Sequence, residues 1–380
     1  MRIVIAKKLL STVGGSEVQA RALAMALRDR GHAVAVVGLR PAIRRAGIPA
    51  QVYDAAPGDV TLEDRGLSYR FIASPAPLLE GTLPISLVGA GRLSSAVAGA
   101  DVVHCIAREW AGPYERAARS AGAAFVETPL AHPGQPFAGD TRADIARYRR
   151  DDAVIGLTQW EADWYRARGA AHAFTTGIGP IAEAAVPDRA PEPAEILFVG
   201  RKERYKGYDA LREAARLVWR ERPDARFVII GQRRFLGPAP LADARWSELG
   251  IVSETKKAEA YARATIFAMP SRHETFGQTY LEAWSAWRPV IAGDIPPLRE
   301  VVRDGVDGLV VAQEPGAIAR AILALLCDPV RARRMAEAGR LKVQEQWTWD
   351  RVAERTERAY LAARAMLTPG SRAPGPREAP

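Results

Sequence analysis

Glu274 and Glu282 stand eight positions apart in the run Pro-Ser-Arg-His-Glu-Thr-Phe-Gly-Gln-Thr-Tyr-Leu-Glu-Ala-Trp that spans Pro270–Trp284. The apolar stretch Ala264–Met269 before it reads as a strand, and an apolar-periodic helix follows it. One carboxylate therefore belongs to a loop at the strand's C-terminal edge, the other to the helix. Open parallel α/β sheets bind ligands at that edge. A helix N-terminus there can hold an anion, and Gly277 lets the backbone come close.

A second run supplies positive charge. Val199–Tyr208 reads Val-Gly-Arg-Lys-Glu-Arg-Tyr-Lys-Gly-Tyr, again after a strand and before a helix. Arg201 and Lys206, five apart between Gly200 and Gly207, can grip a diphosphate. Arginine offers a planar fork to two phosphate oxygens, and lysine adds a mobile point charge. Lys202 and Arg204 read as a solvated loop. A third run, Gly14-Gly15-Ser16-Glu17, follows the first strand. Its adjacent glycines suit backbone approach to a charged oxygen. They do not make a G-x-G-x-x-G dinucleotide fingerprint, and an ordinary turn capped by Ser16 explains them equally.

The elements that must position these residues alternate strand and helix along the chain, which predicts parallel sheets covered on both faces. Strands are expected at Arg2–Ala6, Ala33–Gly38, Val102–Ile106, Ala124–Glu127 and Val154–Leu157. A second series covers Glu195–Gly200, Arg226–Gly231, Thr265–Met269, Pro289–Ala292 and Leu309–Val311. Ser16 with Gln19, and Thr158 with Glu161, read as capping boxes. Pro187, Pro191 and Pro193 mark a linker. The resulting division is an N-terminal domain over 1–185, a linker over 186–194, and a C-terminal domain over 195–348. A helix over 349–366 and a Pro/Gly-rich disordered tail over 367–380 complete it.

At 380 residues, 48% hydrophobic and 26% charged, the composition is that of a soluble two-domain protein. Cys105 and Cys327 make no disulfide framework or metal cluster, so a reducing cytoplasm is expected. No signal peptide or membrane-length apolar stretch is legible. The net charge of +9 fits a solvated basic surface, a phosphorylated substrate or the inner face of a membrane. No zinc-finger or aromatic-basic signature points to nucleic acid. No His, Cys, Asp or Glu cluster has metal-ligand spacing, and no cofactor is expected.

Taken with their contexts, the paired glutamates and the Gly-Arg…Lys-Gly run resemble the retaining GT-B glycosyltransferases of the large family 4 group. That resemblance implies two Rossmann-like doubly wound domains facing a central cleft, the N-terminal one binding the acceptor and the C-terminal one the nucleotide sugar, with the helix over 349–366 returning to the N-terminal one. It implies metal-independent transfer from a nucleotide diphosphate sugar, in which Arg201 and Lys206 hold the diphosphate. Glu274 would orient the sugar and Glu282 the ribose. Gly14, Gly15, Phe276, Gly277 and Gln278 complete the expected donor contacts, and Leu249–Ser253 would meet the base. His104 takes the place of the first histidine of a His-x-His segment, whose second position here is Ile106. His132, in a polar proline-rich loop, ranks just ahead of it as the site histidine. The acceptor is open: a small molecule, a glycan or a lipid-linked group, with Arg40, Arg44 and Arg45 as a candidate basic cluster. Two rivals keep the fold, a nucleotide-sugar epimerase and a catalytically silent binding module.

Overall fold

The computed structural model describes residues 1–10, 14–44, 47–82, 86–133, 139–181, 194–233 and 240–367. Most of the expected linker and the tail beyond 367 lie outside the described residues. The chain divides into two units, one formed by Met1–Gly177 with Trp349–Pro380 and the other by Ile178–Thr348.

The first unit is built on an eight-stranded sheet. Its strands are β1 (Arg2–Ala6), β2 (Ala33–Leu39), β3 (Val60–Asp64), β4 (Leu67–Ile72), β5 (Val102–Ile106), β6 (Ala124–Thr128), β7 (Ala153–Gly156) and β8 (Ala173–Thr175). Their spatial order is β3-β4-β2-β1-β5-β6-β7-β8. Every pairing is parallel except β3 with β4. That antiparallel pair turns through Arg65 and Gly66, at φ 51° and 71°, the left-handed pair of a tight hairpin. The order reverses beside β1, the switch point where ligands gather in such sheets.

Helix Trp349–Ala365 closes this unit. Its Val352, Ala353, Ala359, Tyr360 and Ala363 share one core with Ile3, Ile5, Leu23 and Leu27. Glu357 receives a bidentate contact from Arg30, at 2.8 and 2.9 Å, and faces His32 Nε2 at 2.7 Å.

The second unit carries six parallel strands: β9 (Glu195–Val199), β10 (Arg226–Ile230), β11 (Trp246–Gly250), β12 (Ile266–Met269), β13 (Val290–Gly293) and β14 (Gly308–Val311). Their order is β11-β10-β9-β12-β13-β14. β9 and β12 are neighbours, so the loops carrying Lys206 and Glu274 leave the same edge of the sheet side by side. The interiors of β9, β10, β12 and β13 are apolar on both faces, as parallel strands covered by helices require.

Two local expectations are corrected. Ser16 is not a cap: helix Gly15–Asp29 is preceded by Gly14 at φ 116°, and the Ser16 hydroxyl donates to Glu17 Oε2 at 3.0 Å. Thr158 does cap its helix, accepting from the Glu161 amide, but the Glu161 carboxylate reaches back to the Leu157 amide at 2.7 Å.

Candidate nucleotide-sugar site

β9 ends at Val199, and the backbone stays beside the extension of β10 through Gly200 and Lys202, whose amides donate to the Ile230 and Gln232 carbonyls at 2.9 and 3.0 Å. The loop closes at Gly207, whose φ of 84° makes it the left-handed start of helix Tyr208–Glu221. A Cβ there would meet the Pro270 carbonyl oxygen at 2.5 Å. Glycine is therefore required both for the φ and for the close approach. This approach places Lys206 against the next loop, where its Nζ donates to Glu274 Oε2.

Gln313 ties the same two loops together. Its Nε2 donates to the Pro270 carbonyl at 2.6 Å and to the Tyr205 carbonyl at 3.2 Å. Tyr205 carries the cationic side chains on its ring, with Arg201 Cζ at 5.4 Å and Lys206 Nζ at 5.3 Å from the centroid. Arg201 also donates to the Tyr205 hydroxyl, and its Nη1 lies 3.5 Å from Glu203. Burial pushes the Tyr205 phenol up to about 12, so it stays neutral. Arg201 remains 58% exposed, which leaves its fork available to a ligand.

The Glu274 loop runs into helix Gln278–Ser285 through Gly277, at φ 84° and ψ 66°. A Cβ on Gly277 would lie 2.3 Å from the Tyr280 ring, and the Tyr280 hydroxyl in turn donates to the Met269 carbonyl at the end of β12. The helix thus starts hard against the strand edge with its first amides directed at the loop. Arg201, Tyr205, Lys206 and Glu274 form one connected group beside it.

Glu282 belongs to a separate buried network. Its oxygens accept from Lys257 Nζ at 3.1 Å and Tyr261 Oη at 2.8 Å, and Lys257 also holds Glu254 at 2.7 Å. Burial raises the Glu282 carboxyl above its ordinary range, while Lys257 and Tyr261 oppose that rise. Lys257 and Tyr261 lie on helix Glu254–Arg263, which Ser253 caps by accepting from the Lys256 amide. The expected base loop Leu249–Ser253 is therefore the turn between β11 and this helix.

Several expected site residues have other work. Phe276 is buried edge-to-face on Trp347, with centroids 5.1 Å apart, so its side chain belongs to the core. Gln278 Nε2 donates to the Gly179 carbonyl at 2.8 Å. Lys202 is not a solvated loop residue. It is 5% exposed and donates to Glu248 at 2.7 Å. Burial would raise the Glu248 carboxyl, but bonds from Lys202, Trp246 and Tyr208 hold it below the usual range.

On the first unit, His104 is enclosed in the core. Its ring nitrogens meet Tyr360 Oη and Thr128 Oγ1, each at 2.7 Å. Burial pulls its pKa down to about 3. With both nitrogens engaged, His104 stands as a neutral strut under the closing helix. His132 lies half-buried just after β6, beside Leu130 at φ 54°. Gly14 and Gly15 open the first helix. Two members of the expected basic cluster are held locally. Arg40 donates to the carbonyls of Val52, Ala55, Ala56 and Gly58, and Arg44 pairs with Asp54. Arg45 lies outside the described residues. Among the described residues no group of three His, Cys, Asp or Glu could hold a metal ion, and no helix is long and apolar enough to cross a membrane.

Comparison with known proteins bears on this geometry. The model of the family described as Glycosyl transferases group 1 matches residues 182–342. This segment is the part of the chain that resembles the family. It contains the Arg201, Lys206, Glu274 and Glu282 positions. Over 197 residues the chain is 34% identical to the glycogen synthase of Mycobacterium tuberculosis, covering 49% of this chain and 45% of that protein. Over 204 residues it is 31% identical to the D-inositol 3-phosphate glycosyltransferase of Thermobispora bispora, covering 48% and 47%. The chain thus spans about half the length of the curated relatives it matches. Among solved structures, the sucrose-phosphate synthase of Thermosynechococcus elongatus superposes with a TM-score of 0.74 at 19% identity, covering 96% of this chain and 100% of that one. Anabaena HepE in complex with UDP and glucose gives 0.72 at 16% identity, covering 94% and 98%. The fold is GT-B.

Proposed function

We propose that the protein transfers a sugar from a nucleotide diphosphate sugar to an acceptor hydroxyl, with retention at the anomeric carbon and without a metal ion. The observation that carries this reading is the group at the β9 and β12 edge, where Arg201 and Lys206 flank Tyr205 and Lys206 meets Glu274. The family match and the UDP named for HepE support the donor class.

The difficult step is breaking the bond between the anomeric carbon and the diphosphate oxygen. Negative charge grows on the leaving oxygen, and prepositioned cations stabilise it most in a site that excludes water. Arg201 offers a fork to two oxygens. Lys206 has three donors, so it can keep Glu274 and still donate to a phosphate oxygen. This pair supplies the charge that a divalent ion supplies elsewhere. Glu274, held by Lys206, orients the sugar and faces the positive charge that develops at the anomeric carbon. Glu282 receives the ribose hydroxyls. Gly14, Gly15 and His132 are carried as donor contacts by resemblance alone. In the retaining course, the acceptor oxygen attacks from the face the diphosphate leaves, and its proton passes to the departing phosphate oxygen. The free cysteines Cys105 and Cys327 suit a reducing cytoplasm.

The test is release of nucleoside diphosphate from UDP-, GDP- and ADP-sugars, with and without excess EDTA. One donor class should turn over equally in both conditions. Loss of turnover in EDTA that Mg²⁺ or Mn²⁺ restores would contradict the metal-independent reading. Failure of every donor, with or without acceptor mixtures, would contradict the transfer itself.

A further inference from the structure

The loop after β14 reaches back across the sheet to the candidate site. Gln313, just past Val311 and only 9% exposed, sends its side-chain amide to the Pro270 and Tyr205 carbonyls. Two carbonyl oxygens at one end of an amide fix that end as the nitrogen. These partners lie 43 and 108 positions away, so Gln313 stands outside both runs that carry the cations and the carboxylate.

The Glu274 loop takes a tight path on its way to Gln313. A Cβ on Gly293, the last residue of β13, would lie 1.9 Å from the Ser271 carbonyl oxygen, and one on Gly207 would lie 2.5 Å from that of Pro270. The loop therefore crosses the end of β13 in backbone contact and rests against the β9 loop. The Arg272 amide donates to the Tyr205 carbonyl at 2.7 Å, and its guanidinium reaches the Gln313 carbonyl at 3.4 Å. The Tyr205 carbonyl thus has two donors, from Arg272 and Gln313. The buried Pro270 carbonyl takes its bond from Gln313. Removing that amide leaves a buried carbonyl without this donor at the root of the Glu274 loop, while the β9 loop keeps its bond from Arg272.

Resting on the transferase reading above, we infer that Gln313 is a positioning residue for the transfer. Its amide fixes the Glu274 loop against the loop of Arg201 and Lys206, so that the carboxylate meets the sugar while the cations hold the diphosphate. A misplacement of about 1 Å in such a group costs on the order of 10²-fold in rate. Nucleotide binding depends on it less, because Tyr205, between Arg201 and Lys206, stays tied to Arg272.

The test compares the full chain with Gln313→Met, which keeps the length and removes the donor, and Gln313→Glu, which keeps the shape and turns an oxygen toward both carbonyls. Circular dichroism is the folding control. UDP-glucose, GDP-mannose and ADP-glucose serve for turnover, and UDP, GDP and ADP for calorimetric binding. In both variants kcat should fall roughly ten- to a hundredfold, with nucleotide affinity changed less than about threefold. Adding Glu274→Gln separates positioning from general loosening. If Gln313 acts through Glu274, Gln313→Met should cost about twofold or less in that background. Hydrogen exchange over 270–277 should quicken in both variants, with β12 unchanged. An active parent with unaffected kcat in the folded variants, losses that multiply fully with Glu274→Gln, or unchanged exchange over 270–277 would each overturn the positioning role alone. A parent that turns over no donor would overturn the transferase reading and the positioning role with it.

Discussion

Replacing Glu282 by glutamine separates nucleotide binding from chemistry. The carboxylate is 5% exposed and accepts from Lys257 and Tyr261 at 3.1 and 2.8 Å. Glutamine keeps the shape, loses the charge and turns one oxygen into a donor. Lys257 keeps Glu254 at 2.7 Å, so it is not left without a counter-charge. The folding cost should then be about 1–3 kcal/mol, that of a poorly satisfied polar group. It should fall short of the roughly 3–5 kcal/mol of a broken buried ion pair. A charge-assisted bond to the ribose contributes about 1.5–3 kcal/mol, so its loss should raise the donor KM roughly 10- to 150-fold. The contact is alike in ground and transition states, so kcat should change little. Glu274→Gln should do the reverse, lowering kcat on the order of 10²-fold or more with nucleotide affinity nearly kept. Steady-state kinetics on both variants, with circular dichroism as the folding control, reads the two effects apart. If Glu282→Gln abolishes kcat at unchanged KM while Glu274→Gln leaves kcat intact, the assigned roles are reversed.

The remaining predictions concern stability. His104 falls from 6.5 to about 3 on folding through burial, so its contribution is present above pH 6.5 and is lost as pH falls toward 3. Between pH 7 and 4.5 this amounts to roughly 2–3 kcal/mol. Urea unfolding of His104→Gln should lack that part of the acid dependence, and an unchanged slope would refute it. Gly277→Ala combines a left-handed backbone with a 2.3 Å overlap on Tyr280, whereas Gly305 has φ 74° and open space around it. Gly277→Ala should therefore lower Tm clearly more than Gly305→Ala, and equal losses would show that the packing against Tyr280 carries nothing.

The alternation of strand and helix was legible because buried parallel strands are short apolar runs bounded by turns. The hairpin of β3 and β4 was not, because an edge strand such as Val-Thr-Leu-Glu-Asp is largely polar and its turn is Arg-Gly rather than Asn-Gly. Arg201, Lys206 and Glu274 could be named from spacing and charge. Tyr205 and Gln313 could not, since a ring that carries two cations and an amide that bridges two loops have no sequence pattern of their own. The packing of Lys202 and of His104 was illegible in the sequence for a shared reason. Their partners Glu248 and Tyr360 lie 46 and 256 positions away, and only the fold brings them together.

The central claim is that the loop between β9 and its following helix holds a nucleoside diphosphate through Arg201 and Lys206. Calorimetric titration of UDP, GDP and ADP into the parent protein, Arg201→Ala and Lys206→Ala, all in EDTA, measures this directly. The account predicts saturable binding of at least one nucleotide to the parent and a loss on the order of tenfold or more in each variant, as expected for a charge-assisted bond to phosphate. Binding that is unchanged in both variants, with the proteins folded, would contradict it.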